Sequence, residues 1–140
     1  MGEAHWELFS HPADIGVRGF GPTREEAFAQ AAVALTAVIT DPQKVQPKEA
    51  VEIVCMEQDD ELLFLSWLSS LLYEMGTRGM LFSRFEVEPI DGGVRAIAWG
   101  EPVDIEKHEP AVEVKAATYA ALKIEQHRDG SWLAQCIVDV

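Results

Sequence analysis

The sequence predicts an α+β fold: a largely antiparallel or mixed β-sheet with two main helices packed on it, in a single domain spanning residues 1–140. Three observations carry this. The 140 residues are 48% hydrophobic, enough for one core. Two stretches show helical periodicity, and most of the remaining apolar residues alternate with polar ones in short runs. The runs in the second half are separated by tight-turn signals such as "DGG" and "RDG".

"HWELF" reads as the first strand and "IGVRGFG", closing in Gly19 and Gly21, as the second. "PTREEAFAQAAVALTAVIT" is the first helix. Thr23 is its N-cap, Glu26 the other half of a capping box, and Ala27, Phe28, Ala31, Leu35 and Val38 form its apolar stripe. A loop holding Pro42 and Pro47 leads to a strand, "AVEIVCME". "QDDELLFLSWLSSLLYEMG" is the second helix, capped by Asp59 or Asp60 and ended by Gly76. Its apolar arc, from Leu62 and Leu63 through Trp67 and Leu68 to Leu72, is wide enough to demand cover over most of its surface. Leu35, Trp67, Leu68 and Phe85 are expected in the core. So are all four tryptophans, Trp6, Trp67, Trp99 and Trp132, because large aromatics dominate core burial. The hairpin "LFSRFEVEPI"–"VRAIAWGEPV" follows, then a loop "DIEKHEP", then "AVEVKAATYAALKIEQ", which alternates at both ends. The last strand, "WLAQCIVDV", sets Leu133, Gln135, Ile137 and Asp139 on one face and Ala134, Cys136, Val138 and Val140 on the other.

Composition narrows the function classes. Eleven Lys and Arg against 24 Asp and Glu give a net charge of −13. A protein that binds nucleic acid directly and strongly neutralises phosphates with cations, so this chain is better suited to a basic partner protein. No apolar run reaches the length of a membrane span, "MGEAHWELF" has no secretory pattern, and Trp6 breaks the myristoylation motif after Met1-Gly2. Cys55 and Cys136 are far apart in apolar runs, which points to buried, reduced thiols and a cytoplasmic protein.

Few residues carry chemistry on their own. Asp14, in the "HPAD" turn from His11, suits local backbone hydrogen bonding. Asp139 and Val140 read as a solvated end, His108 as a surface or loop histidine, and Lys115 as an outward-facing strand residue. Walker loops, dinucleotide-binding glycine motifs, HExxH and serine-triad patterns are all missing from the sequence.

Taken together, "HPADIGVRGFGPTREEAFAQAAVAL", "EPVDIEKHEP", "EVKAATY" and "WLAQCIVDV" resemble the archease family over nearly the whole chain. The most specific pieces are the HxAD turn, the KAxTY stretch and the penultimate aspartate. The resemblance implies a protein cofactor, not an enzyme: an activator of the RtcB-type RNA ligase of tRNA splicing and RNA repair. Such a cofactor promotes GTP-dependent guanylylation and multiple turnover of the ligase and modulates the nucleotides it accepts, the GTP belonging to the ligase. It further implies a divalent cation, Ca²⁺ or Mg²⁺ with Ca²⁺ favoured, held by Asp14, Asp139 and Val140, and a role in activation for Lys115 and His11. Three positions depart from the family pattern: Ser10 replaces a frequent acid, Pro12 the usual threonine, and Ala120 a frequent histidine. Two other readings of the residues stay open, a general chaperone or adaptor of nucleic-acid enzymes and a small metal-dependent hydrolase.

Overall fold

The computed structural model describes residues 3–12 and 14–140, with the His11 side chain also outside the described set; Met1, Gly2 and the Ala13 position of the HPAD turn therefore lie beyond it. The element order is β1 (His5–His11), β2 (Asp14–Gly21), α1 (Arg24–Ile39), β3 (Glu49–Met56), α2 (Asp60–Arg78), β4 (Met80–Ile90), β5 (Gly93–Pro102), α3 (Ile105–His108), β6 (Ala116–Ala117), β7 (Lys123–Gln126) and β8 (Trp132–Asp139).

The strands form two antiparallel sheets where one was expected. The first has the order β1-β2-β8-β6, with β7 also pairing β8, and the second has the order β3-β5-β4. Both helices touch strands of both sheets, α1 against β2, β1, β8 and β4, α2 against β3, β4, β5, β6 and β7. The helices thus fill the space between the sheets, which accounts for the breadth of the apolar arc on α2. Leu35, Trp67 and Leu68 are fully buried and Phe85 is nearly so.

Local chemistry fixes both helices. Thr23 Oγ1 accepts from the Glu26 N–H at 3.1 Å, and the Asp59 carboxylate accepts from the Leu62 N–H at 2.9 Å. Gly19 has no Cβ because α1 crosses β2 there: a methyl group would stand 2.2 Å from the Ala27 carbonyl oxygen. The buried polar groups of the helices are paired. Thr36 Oγ1 donates to the Phe82 carbonyl at 2.6 Å, where the β4–β5 register slips, and Trp67 Nε1 donates to the Phe28 carbonyl at 3.0 Å.

Several expectations need correction. Helix α2 ends at Gly79, not Gly76; Gly79 has φ +62° and its N–H caps the Met75 carbonyl, whereas Gly76 sits exposed inside the helix. Leu62, at the first turn of α2, is exposed. Of the tryptophans only Trp67 is fully buried; Trp99 and Trp132 are half-buried, and Trp6, on the edge strand β1, is exposed. The "DIEKHEP" loop contains a helical turn, α3, because the Asp104 carboxylate accepts from the Glu106 and Lys107 N–H groups at 3.1 Å each. The 111–126 stretch is strand only at Ala116–Ala117 and Lys123–Gln126. Between them the chain bulges, with Ala121 at φ +54° and Tyr119 exposed.

Leu68→Ala is expected to cost about 2–5 kcal/mol, since the side chain is enclosed between two sheets that cannot both collapse into the gap. Chemical denaturation measures it; a change within error would place the helix face outside the core.

Candidate functional site

Strand pairing decides what reaches the end of the first sheet. In β2–β8, Ile15 faces Val138, so the same register carried one position further sets Asp14 opposite Asp139. In β1–β2, His11 faces Asp14, and in β6–β8, Ala116 faces Asp139. His11, Asp14, Asp139 and Ala116 therefore form one row across four strands.

Alternation also fixes the face. Arg18 and Gln135 pair across β2–β8, with Arg18 Nε donating to Gln135 Oε1 at 2.8 Å. Asp14 lies four residues before Arg18 and Asp139 four after Gln135, so both acids share that face. This face carries the rest of a polar ladder. The Arg18 guanidinium lies 4.3 Å from the centre of the Phe9 ring and bonds Glu7 at 3.1 Å, and Gln135 Nε2 donates to the Ala121 carbonyl at 3.0 Å. Gln135 thereby ties the 118–122 bulge to the centre of the sheet. Nothing in the amino-acid pattern alone marked Arg18 or Gln135, because their link joins residues 117 apart in the chain.

Asp14, Asp139 and Val140 are exposed. Directly opposed residues of an antiparallel pair have Cβ atoms about 5 Å apart, a span two carboxylates close around one cation. Among the described side chains, no group of three His, Cys, Asp or Glu gathers as a metal cluster. Two aspartates share the row. Such a set is all hard oxygen, open to water, and suits Ca²⁺ or Mg²⁺ rather than a thiolate-seeking metal. Cys136, whose thiol burial pushes up to about 12, is inert.

Lys115 reaches this end through its backbone, its N–H donating to the Asp139 carbonyl at 2.7 Å. One position before Ala116, it takes the opposite face from the two acids, and its side chain lines a concavity with Ser69, Leu72, Tyr73 and Glu113.

The "EPVDIEKHEP" stretch is a structural clasp. His108, expected at the surface, is buried: its Nδ1 accepts from the Asp104 N–H at 2.9 Å and its Nε2 lies 2.9 Å from Glu101 Oε2. The same oxygen accepts from Lys107 Nζ at 2.6 Å and from the Gln46 N–H at 2.9 Å. The Lys107 bond foremost, then that of Gln46, holds the Glu101 carboxyl down to about 2 from an ordinary 4.5, against the opposing effect of burial.

The fold and row define a class: an α+β protein with two helices between antiparallel sheets and two aspartates at one sheet end. The Archease protein family model matches residues 6–140. The chain is 45% identical over 139 residues to protein archease of Thermococcus gammatolerans and equally to that of Pyrococcus furiosus, covering 96% of this chain and 98% of each relative. With protein archease of Methanosarcina mazei the identity is 37% over 140 residues, covering 96% and 95%. The solution structure of Methanobacterium thermoautotrophicum protein 1598 superposes with a TM-score of 0.82 at 34% identity, covering 96% of this chain and 98% of that one. The crystal structure of a Thermotoga maritima archease, described as a possible chaperone, shares the fold with a TM-score of 0.62 at 18% identity, covering 96% of both chains. The chain belongs to the archease family.

The clasp gives a pH signature. A carboxyl with a depressed folded value contributes stability that is present above its unfolded value and lost as pH falls through the folded one. Glu101 thus contributes fully above pH 4.5 and loses that contribution down to about pH 2. Glu101→Gln is expected to be less stable at pH 7 and to show a flatter loss of stability between pH 4.5 and 2, measured by denaturation across that range. An unchanged acid profile would remove Glu101 from the clasp.

Proposed function

We propose that the chain is a protein cofactor that activates an RtcB-type RNA ligase in the cytoplasm, promoting guanylylation and multiple turnover of the ligase and widening its use of nucleoside triphosphates. One observation carries the reading: a member of the archease family has the aspartate of its HxAD turn and its penultimate aspartate in one cross-strand row. The net charge of −13 supports a basic protein partner over direct binding of RNA.

In this reading Asp14, Asp139 and the α-carboxylate of Val140 hold a divalent ion, Ca²⁺ or Mg²⁺. Bound there, the ion supplies charge neutralisation to the oxygens of a triphosphate held by the ligase. The two aspartates would hold that ion, because the β2–β8 register brings them opposite each other. Lys115 presents its exposed ammonium on the opposite face to an anionic group of the ligase, and His11 lies in the same row as Asp14. A second reading, a chaperone or adaptor of broader range, draws on the description of the Thermotoga maritima archease as a possible chaperone.

A multiple-turnover ligation assay with the cognate ligase separates the two. The protein is expected to raise turnover and ligase guanylylation, and Asp14→Asn, Asp139→Asn or a short extension after Val140 to abolish the stimulation. An extension at the N-terminus should leave it intact. Lys115→Ala should reduce stimulation without moving the melting temperature, since an exposed charge contributes little to stability, and Lys115→Arg should restore only part of it. Equal stimulation by Asp14→Asn and wild-type protein would contradict the role of the acidic row. Equal binding to several unrelated basic proteins would favour the adaptor.

A further inference from the structure

Strand β3 is an open edge of the second sheet. It pairs with β5 from Glu49 to Met56 without a break, and among the described residues no main-chain group bonds to its other side. Alternate residues of such a strand point N–H and C=O outward, a row of donors and acceptors that another extended chain satisfies. The opposite edge, β4, is guarded by a register shift at Phe82/Arg84, by the charges of Arg84, Glu86 and Glu88, and by Pro89. Between Glu49 and Met56 there is no proline, lysine or arginine, and no register shift.

An open concavity of about 380 Å³ runs along this edge. Glu52, Ile53 and Val54 all line it, and since consecutive residues point to opposite faces, a hollow that touches all three opens at the side of the strand. Its far wall is α2, through Ser66, Ser69, Ser70 and Tyr73. Three serines in that wall leave room for a main chain lying about 4.8 Å from β3. A groove between an edge strand and a helix is suited to taking an extended segment as an added strand. Side chains and charge narrow the choice of segment. On the outer face Val54 is 51% and Met56 56% exposed, apolar groups that an apolar cross-strand neighbour covers. Glu52 and Glu74 in the groove each meet an arginine, Arg95 at 2.8 Å and Arg78 at 2.6 Å, so charge selection falls at the turn after β3. That turn reads "EQDDE". Asp59 caps α2 and Asp60 is held by Arg24 at 2.7 Å, while Glu57 and Glu61 are exposed and make no ion pair among the described residues. The two free acids select Lys or Arg.

We infer that an extended segment of the ligase adds to β3 as a further strand, with apolar side chains over Val54 and Met56 and a Lys or Arg against Glu57 and Glu61. The identity of the partner rests on the functional reading above, and the mode of contact on the open edge. Main-chain bonds along β3 supply affinity, and the groove adjoins the surface of Lys115, because Ser69 and Tyr73 line both concavities. A second copy of this chain is the poorer occupant, since each copy carries a charge of −13.

Residue-resolved amide hydrogen exchange, with and without purified ligase, tests the inference. Strand addition is expected to protect alternate amides between residues 49 and 56, a pattern that side-chain cover alone does not produce. Val54→Lys and Ser69→Tyr alter exposed residues, so both should melt as the wild type does. Each should weaken ligase binding, measured by calorimetry, by about tenfold or more. Glu57→Lys combined with Glu61→Lys should weaken it more at low salt than at high salt. Glu88→Lys, exposed on the guarded β4 edge, should bind as the wild type does. Unchanged exchange across 49–56 in a complex that forms and stimulates ligation would overturn the added strand and leave the functional reading standing. Wild-type affinity in both Val54→Lys and Ser69→Tyr, or equal weakening by Glu88→Lys, would do the same. Protection of the same amides in the free protein, growing with its concentration, would give the edge to a second copy and overturn the inference. A wild-type protein that neither binds nor stimulates the ligase would overturn both the inference and the functional reading.

Discussion

The acidic end depends on one constraint, the antiparallel pairing of β8 between β2 on one side and β6 with β7 on the other. A strand at the end of a chain normally lies at a sheet edge, where fraying costs little. Here it is central, with Ala134, Cys136, Ile137 and Val138 buried. Its register with β2 is held by the Arg18–Gln135 bond and by the burial of Cys136, because a one-residue slip would turn Gln135 into the core and Cys136 outward. That same register puts Asp139 across from Asp14. The core thus determines the spacing of two like charges that local sequence would keep apart.

Burial and site are coupled through the helices as well. Placing α1 and α2 between two sheets covers both helices on two sides, and on α2 the first and last turns and a strip of Ser69, Tyr73 and Gly76 are left at the surface. The exposed strip adjoins the 103–116 segment, and the Glu101–His108 clasp holds the start of that segment in place. Val103, inside the clasp segment, lines an apolar hollow with Leu72 and Met75 of α2. The clasp concentrates hydrogen bonds from Lys107, Gln46 and His108 on one carboxylate oxygen, a charge-assisted arrangement that tolerates burial because every partner is satisfied.

Much of this was legible in the residues. The alternation of β2, β3, β5 and β8, the caps at Thr23 and Asp59 and the burial of Leu35 and Leu68 follow from patterns within a few positions of each residue. What was not legible depends on partners distant in the chain. Alternation gives the faces of a strand but not its neighbours, so two sheets read as one. Gly76 and Gly79 are equal as helix stops until Met75 is seen to need its carbonyl capped. His108 reads as a surface residue until Glu101 and Asp104 are placed around it. Lys115 and the acids stand together in the family pattern, yet strand alternation sends its side chain to the other face, toward Tyr73. The aspartates of the site came from family resemblance, and only the register shows why residues 125 positions apart stand opposite each other.

The central claim, that Asp14, Asp139 and Val140 share one divalent ion, is most directly tested by carbon-detected NMR of the carboxyl groups during Ca²⁺ titration. The claim predicts that the side-chain carboxyls of Asp14 and Asp139 and the α-carboxyl of Val140 shift together along one saturating curve, while Asp59 and Asp129 stay still. Unsaturable drift of all acids in proportion to ionic strength, or saturation of Asp14 without Asp139, would contradict it.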